Sequence, residues 1–508
     1  MTTSPYALPA IIGVTVATLG LGAYGYRMSR TTSDFFVASR MVSPQWNASA
    51  IGGEYLSAAS FLGVAGLIMK YGADVLWYPV GFTTGYLALL LFVAAPLRRS
   101  GAYTLPDFAE LRLSSIRVRR LSTGFVVIIG WLYMVPQMQG AGLTLSTVTG
   151  APDWLGAVVV GVVVTANVAS GGMRAITFVQ AFQYWLKLTA ICVPAFVILL
   201  HWQAAGHPPI PAPESWASPL GGVGAGAPHP LFSTYSLILA TFLGTMGLPH
   251  VLVRFYTNPA GHQARQTTLV VLCLLGAFYL FPTVYGALGR IYAPQLLTSG
   301  DTDAVVLVLP GAVVPGLPGQ LLAGLVAAGA FAAFLSTSSG LLVSVSGVLS
   351  TDVFGRGSVR DFRRAAVLAG MVPLLLALQV RSLDVSQVVG LAFAVAASTF
   401  CPLLVLGIWW RGLTARGAIA GLLVGGGLAG TAVLVTVFIT PGLTGWPAAL
   451  LAQPAAWTVP ASFLTMVVVS GLTADRVPLD VSRIMLRLHA PERAGLTSVA
   501  QPVRRLPD

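Results

Sequence analysis

Charge is scarce in this chain. Only 9% of its 508 residues are Asp, Glu, Lys or Arg, while 56% are hydrophobic. A soluble domain carries about 25% charged residues, so a soluble fold is excluded. Acids are scarcest, with 16 Asp and Glu against 28 Lys and Arg. Cysteine is nearly absent. Cys192, Cys273 and Cys401 stand at unrelated spacings inside apolar runs. That excludes a disulfide framework or a thiolate metal site and leaves them as small packing residues. P-loop and HExxH motifs are missing, and no nucleophile–base pair or metal set is visible, so neither an enzyme nor a resident cofactor is expected. With no engine of its own, the chain is expected to run on a gradient.

Long apolar runs are what it has. Thirteen are expected to cross a hydrocarbon core about 30 Å thick. They lie near 7–26, 45–69, 76–97, 121–147, 153–170, 176–201, 233–256, 267–290, 318–350, 365–381, 385–409, 416–440 and 455–473. The fold class is therefore an all-α polytopic membrane protein: one transmembrane domain over 1–475 and a short basic tail over 476–508. The first run is read as a retained span, because basic residues follow it rather than precede it. The segment 202–232 reads as a long irregular loop.

The net charge of +12 is explained by where the basic residues lie. With the N-terminus outside, 24 of the 28 fall on the inner side, among them Arg98, Arg99, Arg112, Arg119, Arg254, Arg265 and Arg356. The outer side keeps Lys70, Arg290 and Arg381, and Lys187 falls within a span, where it is read as a snorkelling side chain. This asymmetry predicts an N-terminus outside and a C-terminus in the cytoplasm of a plasma (inner) membrane. The surface partner is anionic lipid, not nucleic acid.

Two spans are interrupted. One carries Gly52-Gly53-Glu54 and the other Gly244-Thr-Met-Gly247-Leu-Pro249-His250. Broken backbone survives in a membrane only where it faces protein, water or a ligand. Half-helix carbonyl ends hold cations and amide ends hold anions. The alternative is that the glycines only permit close helix packing. Glu54 is the one acid placed deep in a span, and such a group marks an ion or substrate path. It is read either as an ionised cation attractor or as a proton carrier. Ser336, Thr337, Ser338 and Ser339 form a hydroxyl run suited to an alkali cation, or else bond back to their own helix. Gln137 and Gln139, after Pro136, either line a path or bond across helices. His250 is read as a hydrogen-bonded structural group.

Together these segments carry a likeness: IGGEYLSAASFLG at 51–63, GAYTLPDF at 101–108, QMQGAG at 137–142, GGMRAITFVQ at 171–180, GLPHVLVRFYT at 247–257, GLAFAVAAS at 390–398 and LTARGAIAG at 413–421. The chain resembles the sodium/solute symporters, most of all the cation–acetate (monocarboxylate) branch, over roughly 1–475. The resemblance implies a leucine-transporter-like core of inverted five-helix repeats, about 45–201 and 233–409, with one extra span before it and two after. It implies a sodium site at the carbonyls of Gly53, Leu56 and Ala333 and the hydroxyls of Ser336 and Thr337. Substrate and coupling groups are expected at Glu54, Tyr55, Ser57, Gln137 and Gln139. Val179-Gln180 stands where many relatives have Thr-Asp, as in the acetate-like branch, and Ser60 stands where sugar carriers have Gln. The expected function is sodium-driven uptake of a short monocarboxylate such as acetate, propionate or pyruvate. The rivals are proton coupling through Glu54 and a transporter-like nutrient sensor.

Overall fold

The apolar runs all become helices. In the computed structural model the described residues are 4–29, 31–218, 229–355, 357–379, 385–438 and 444–491, and no strand occurs among them. Expectations that fall on 219–228, Arg356, Arg381 and 492–508 lie outside them.

The helices that carry the architecture are α1 (Ala7–Met28), α2 (Pro44–Tyr55), α3 (Val64–Tyr71), α4 (Trp77–Ala88), α5 (Ala94–Arg99), α6 (Leu105–Leu113), α7 (Ile116–Thr149), α8 (Asp153–Ala204), α9 (Pro230–Gly247), α10 (Pro249–Phe255), α11 (Gly261–Tyr292), α12 (Gly316–Asp352), α13 (Val359–Gln379), α14 (Val385–Trp409), α15 (Ala415–Phe438), α16 (Ala455–Leu472) and α17 (Val481–His489). Ten stretches among the described residues are long and apolar enough to cross a membrane. Two of these run to 41 and 52 residues, about twice what a bilayer needs. Each contains a glycine at positive φ, Gly72 in the first and Gly172 in the second, where the helical path is interrupted. Dividing them there, and adding α13, whose first turns carry charge, recovers the thirteen expected passes.

The centre is α12, which packs on α1, α2, α7, α8, α10 and α13 and is buried almost throughout its middle. Large apolar side chains such as Ile12, Val16, Phe196, Leu200, Leu434 and Leu472 are exposed around the outside, as a lipid-facing surface requires.

Both interrupted spans are broken, but the first break is not at the glycines. α2 continues through Gly52 and Gly53 and ends at Tyr55. Leu56 leaves the helix (φ −72°, ψ 83°), and helical backbone resumes at Ala58. The glycines instead admit close packing: a Cβ on Gly52 would lie 2.7 Å from the Tyr184 ring, and one on Gly53 would lie 2.2 Å from the Gln180 carbonyl oxygen. The packing alternative therefore holds for the glycines, while the break lies three residues further on. In the second span Leu248 (φ −71°, ψ 115°) separates α9 from α10, with Pro249 at the first position of the new helix.

Three arginines expected as free inner-side charges are structural. Arg112 is buried and donates to the carbonyls of Gly407, Trp410 and Arg411, satisfying the last carbonyls of α14. Arg119 bridges Asp107, Glu110 and Asp352 at 2.7, 2.5 and 2.6 Å. Asp107 also closes a capping box with Thr104 at the start of α6, which accounts for the Thr-Leu-Pro-Asp pattern of 104–107. Arg254 is fully buried. The tail is not wholly irregular, since α17 docks on α5 through Arg487 Nε to the Arg99 carbonyl and Arg99 to the His489 carbonyl. The segment expected as a long irregular loop holds a short helix, Glu214–Ala217, whose Trp216 indole donates to the Ile68 carbonyl at the end of α3.

Candidate functional site

Ending α2 at Tyr55 frees the carbonyls of its last turn, which have no amide ahead of them to accept from. The structure shows where they go. Gly53 O accepts from Ser336 Oγ (2.6 Å) and Glu54 O from Thr337 Oγ1 (2.6 Å), so the hydroxyls of α12 cap the broken helix. Ser336 Oγ also reaches Ala333 O at 3.1 Å. Ser338 and Ser339 have no side-chain partner. Two of the four hydroxyls thus join two helices, and one of them, Ser336, also bonds back to its own.

The five residues expected at a sodium site are therefore brought together. A cation already stands among them: the Lys187 ammonium donates to Gly53 O, to Leu56 O (2.8 Å) and to Ser336 Oγ (2.9 Å). Lys187 does not snorkel; its side chain is wholly buried. The Ser336 hydroxyl spends its single proton on a carbonyl, so it can only accept from Lys187. Three acceptors then face the amine, which matches the three N–H groups of the protonated form. The residues do not fit a sodium ion while Lys187 holds this position. A second unit charge about 4 Å away would be repelled by about 4 kcal/mol at an effective dielectric near 20.

Glu54 lies next to this knot but faces elsewhere. Its Oε2 accepts from Arg254 Nε at 2.7 Å, both side chains being 1% exposed. Arg254 Nη1 donates to Thr177 Oγ1 at 2.9 Å, and Nη2 donates to Gln180 Oε1. Gln180 Nε2 in turn donates to the Ser336 carbonyl at 2.7 Å. Gln180 therefore links the ion pair to the ammonium site, and the Val179-Gln180 departure has a structural role. Gly340 makes room for the carboxylate: a Cβ there would lie 2.1 Å from Glu54 Cδ. The described residues hold no group of His, Cys, Asp and Glu that could bind a metal ion.

Beyond the break the groups are polar and partly unsatisfied. Ala58 N donates to Gln137 Oε1 at 2.9 Å, which fixes the amide and leaves Gln137 Nε2 as a buried donor without a partner. Tyr86 OH and both ring nitrogens of His250 are buried and lack partners too, while Ser57 pairs with the Tyr133 hydroxyl. The expectation of a hydrogen-bonded His250 is thus corrected; its ring stands edge-on to Tyr133 at 5.3 Å. Tyr55 bonds Thr245 Oγ1 at 2.7 Å and packs against Phe82, Tyr86 and Phe393. Ser60 Oγ meets Tyr279 OH at 2.9 Å. Gln139 is not brought to this place. It is half-buried and two residues along α7 from Gln137, and residues two apart on a helix face different ways.

The sequence reading missed Lys187 and Arg254 as site residues. The signal for Lys187 was spacing: Thr177, Gln180 and Lys187 stand at i, i+3 and i+10, one stripe of α8. Arg254 had none, because from sequence it sits near a helix end with the topology-setting arginines.

Two spans broken in mid-course, with ionic groups and orphaned donors gathered at one break, define a membrane transporter built on discontinuous helices. A model of the sodium:solute symporter family matches residues 35–425. The chain belongs to the sodium:solute symporter family. It is 31% identical over 490 residues to an uncharacterized symporter, YwcA, of Bacillus subtilis, covering 92% of this chain and 94% of that protein. It is also 31% identical over 492 residues to a monocarboxylic acid transporter of Corynebacterium glutamicum, covering 86% of each. Among solved structures it is similar to a Na+-coupled sialic acid symporter in a substrate-bound outward-open state, with a TM-score of 0.70 at 16% identity over 92% of this chain and 98% of that one. It is also similar to Mhp1, a nucleobase-cation-symport-1 family transporter, with a TM-score of 0.52 at 14% identity over 89% and 98% of the two chains. These two likenesses show the fold, which is leucine-transporter-like.

Proposed function

We propose that this protein is a secondary active symporter that takes up a short-chain monocarboxylate such as acetate, propionate or pyruvate together with an inward-moving cation. The observation that carries the reading is the pair of unpartnered buried donors near the break, Gln137 Nε2 and Tyr86 OH. Ala58 N holds the Gln137 amide, Tyr86 packs on Tyr55, and Lys187 holds the Leu56 carbonyl at the same break. A carboxylate supplies the acceptors these donors lack, and charge-assisted bonds are the stronger kind. With one acid against two bases, the ionic cluster carries one excess positive charge, which an anionic substrate neutralises. The wall of aromatic rings favours a small substrate over a polyol, and a monocarboxylate is also the cargo named for the Corynebacterium relative.

The halves 45–201 and 233–409 are proposed as inverted repeats that rock about the two breaks. The N-terminus is proposed to lie outside and the C-terminus in the cytoplasm. Sodium is the coupling ion suggested by the family. A second reading, coupling to a proton, is favoured by the ammonium that occupies the oxygens sodium would need. Glu54 is half engaged: Arg254 holds its Oε2, while Oε1 is buried without a partner.

The test is uptake of labelled C2–C6 monocarboxylates into proteoliposomes under an imposed sodium gradient or an imposed pH gradient. Accumulation of at least one monocarboxylate against its gradient is expected. Ligand binding without accumulation under either gradient would favour a sensor and overturn the symporter reading.

A further inference from the structure

We propose that Lys187 is the resident cation of the joint between α2 and α12, standing in for a transported sodium ion, so that sodium is not cargo of this protein. The inference deepens the symporter reading above and rests on it for its transport arm alone.

The argument is geometric. A cation at this joint has one mechanical task, to hold the freed carbonyls of a broken helix against the hydroxyls of a second helix. Lys187 performs it from a third helix: its ammonium meets Gly53 O and Leu56 O on the α2 side and Ser336 Oγ on the α12 side. Its three N–H groups and the three acceptors are matched, so no oxygen bonded to the ammonium is left over for a second ion.

The acid beside the joint, Glu54 of α2, is paired with Arg254 of α10. Among the described residues, the groups that hydrogen bonds bring to this joint and its neighbouring turns from the other helices are uncharged. Ser336 and Thr337 face it from α12, Tyr285 of α11 donates to the Ile191 carbonyl, and Thr18 of α1 accepts from Gln183. On α8 itself, Tyr184 donates to the Leu274 carbonyl. An untethered sodium ion binds and leaves in each cycle, whereas a lysine cannot leave. The joint should therefore close and open without any requirement for external sodium.

The test uses the full-length protein, purified and reconstituted. Melting is followed in detergent with sodium chloride exchanged for choline chloride at constant ionic strength, for the wild type and for Lys187→Ala. The wild type should melt at the same temperature in both salts. Lys187→Ala vacates the oxygens and should gain a sodium-specific rise of roughly 2 °C or more at about 100 mM. In proteoliposomes at equal pH on both sides, wild-type acetate uptake should be unchanged by an inward sodium gradient, and radioactive sodium should not enter with it. A sodium-specific rise in wild-type melting, or a severalfold stimulation of wild-type uptake by sodium, overturns the proposal. So does a folded Lys187→Ala that ignores sodium, because the oxygens would then not be a cation site. If Lys187→Ala does not fold, the two wild-type measurements decide. If no monocarboxylate exchanges at all, the symporter reading fails while the melting comparison still decides the role of Lys187.

Discussion

At the scale of single residues, the site consists of two linked knots. Lys187 ties the oxygens of the break, Arg254 ties Glu54, and Gln180 connects the two. Removing one partner of a buried ion pair leaves a stranded charge and costs about 3–5 kcal/mol, far more than the pair contributes over an apolar replacement. Glu54→Gln is therefore expected first to lower the melting temperature and the yield of folded protein. Glu54→Gln combined with Arg254→Gln should recover most of the loss. A double-mutant melting comparison checks this, and equal melting of Glu54→Gln and wild type would show that the pair is not structural. Ser57 is different, since its hydroxyl is neutral and its partner is another neutral hydroxyl, that of Tyr133. Ser57→Ala should leave melting within about 1 kcal/mol of wild type. It should raise the KM for carboxylate uptake about tenfold, because a hydrogen bond to a charged group contributes about 1.5–3 kcal/mol. An unchanged KM would remove Ser57 from the substrate site.

At the scale of elements, close approach is what α2, α8 and α12 have in common. Gly53 lets α2 reach the backbone of α8, and Gly340 lets the Glu54 carboxylate lie against α12. An added methyl at either place meets backbone or an ion pair at 2.1–2.2 Å, so the helices must move apart. Gly53→Ala and Gly340→Ala are each expected to cost about 1–3 kcal/mol in stability. The first change pushes α2 from α8 and the second pushes it from α12, and Lys187 and Ser336 of those helices hold the broken turn, so both should also slow carboxylate exchange. Gly427, with open space around it, serves as the control: Gly427→Ala should leave exchange unchanged. Melting curves and counterflow rates measured on the same preparations separate these outcomes.

At the scale of the whole molecule, the proposed orientation rests on the distribution of basic residues along the sequence, which keeps its asymmetry when Arg112, Arg119 and Arg254 are set aside for their internal partners. Two exposed serines test it, Ser299 in the helix Gln295–Ser299 and Ser482 on α17. In a background without Cys192, Cys273 and Cys401, Ser299→Cys should react with an impermeant maleimide in intact cells. Ser482→Cys should react only after permeabilisation. The reverse pattern would invert the protein in its membrane.

The sequence alone determined the class of protein, the apolar runs that become its helices and the presence of two interrupted spans. Those features are written in local pattern: run length and small residues. It misplaced the first break by three residues, because glycines that admit a neighbouring helix look the same in sequence as glycines that end one. Only the tertiary structure decided what fills the joint and what Glu54 faces. Lys187 is 131 residues from Leu56 and Glu54 is 200 residues from Arg254. Whether a buried charge is paired depends on which helices pack together, and no local pattern records that.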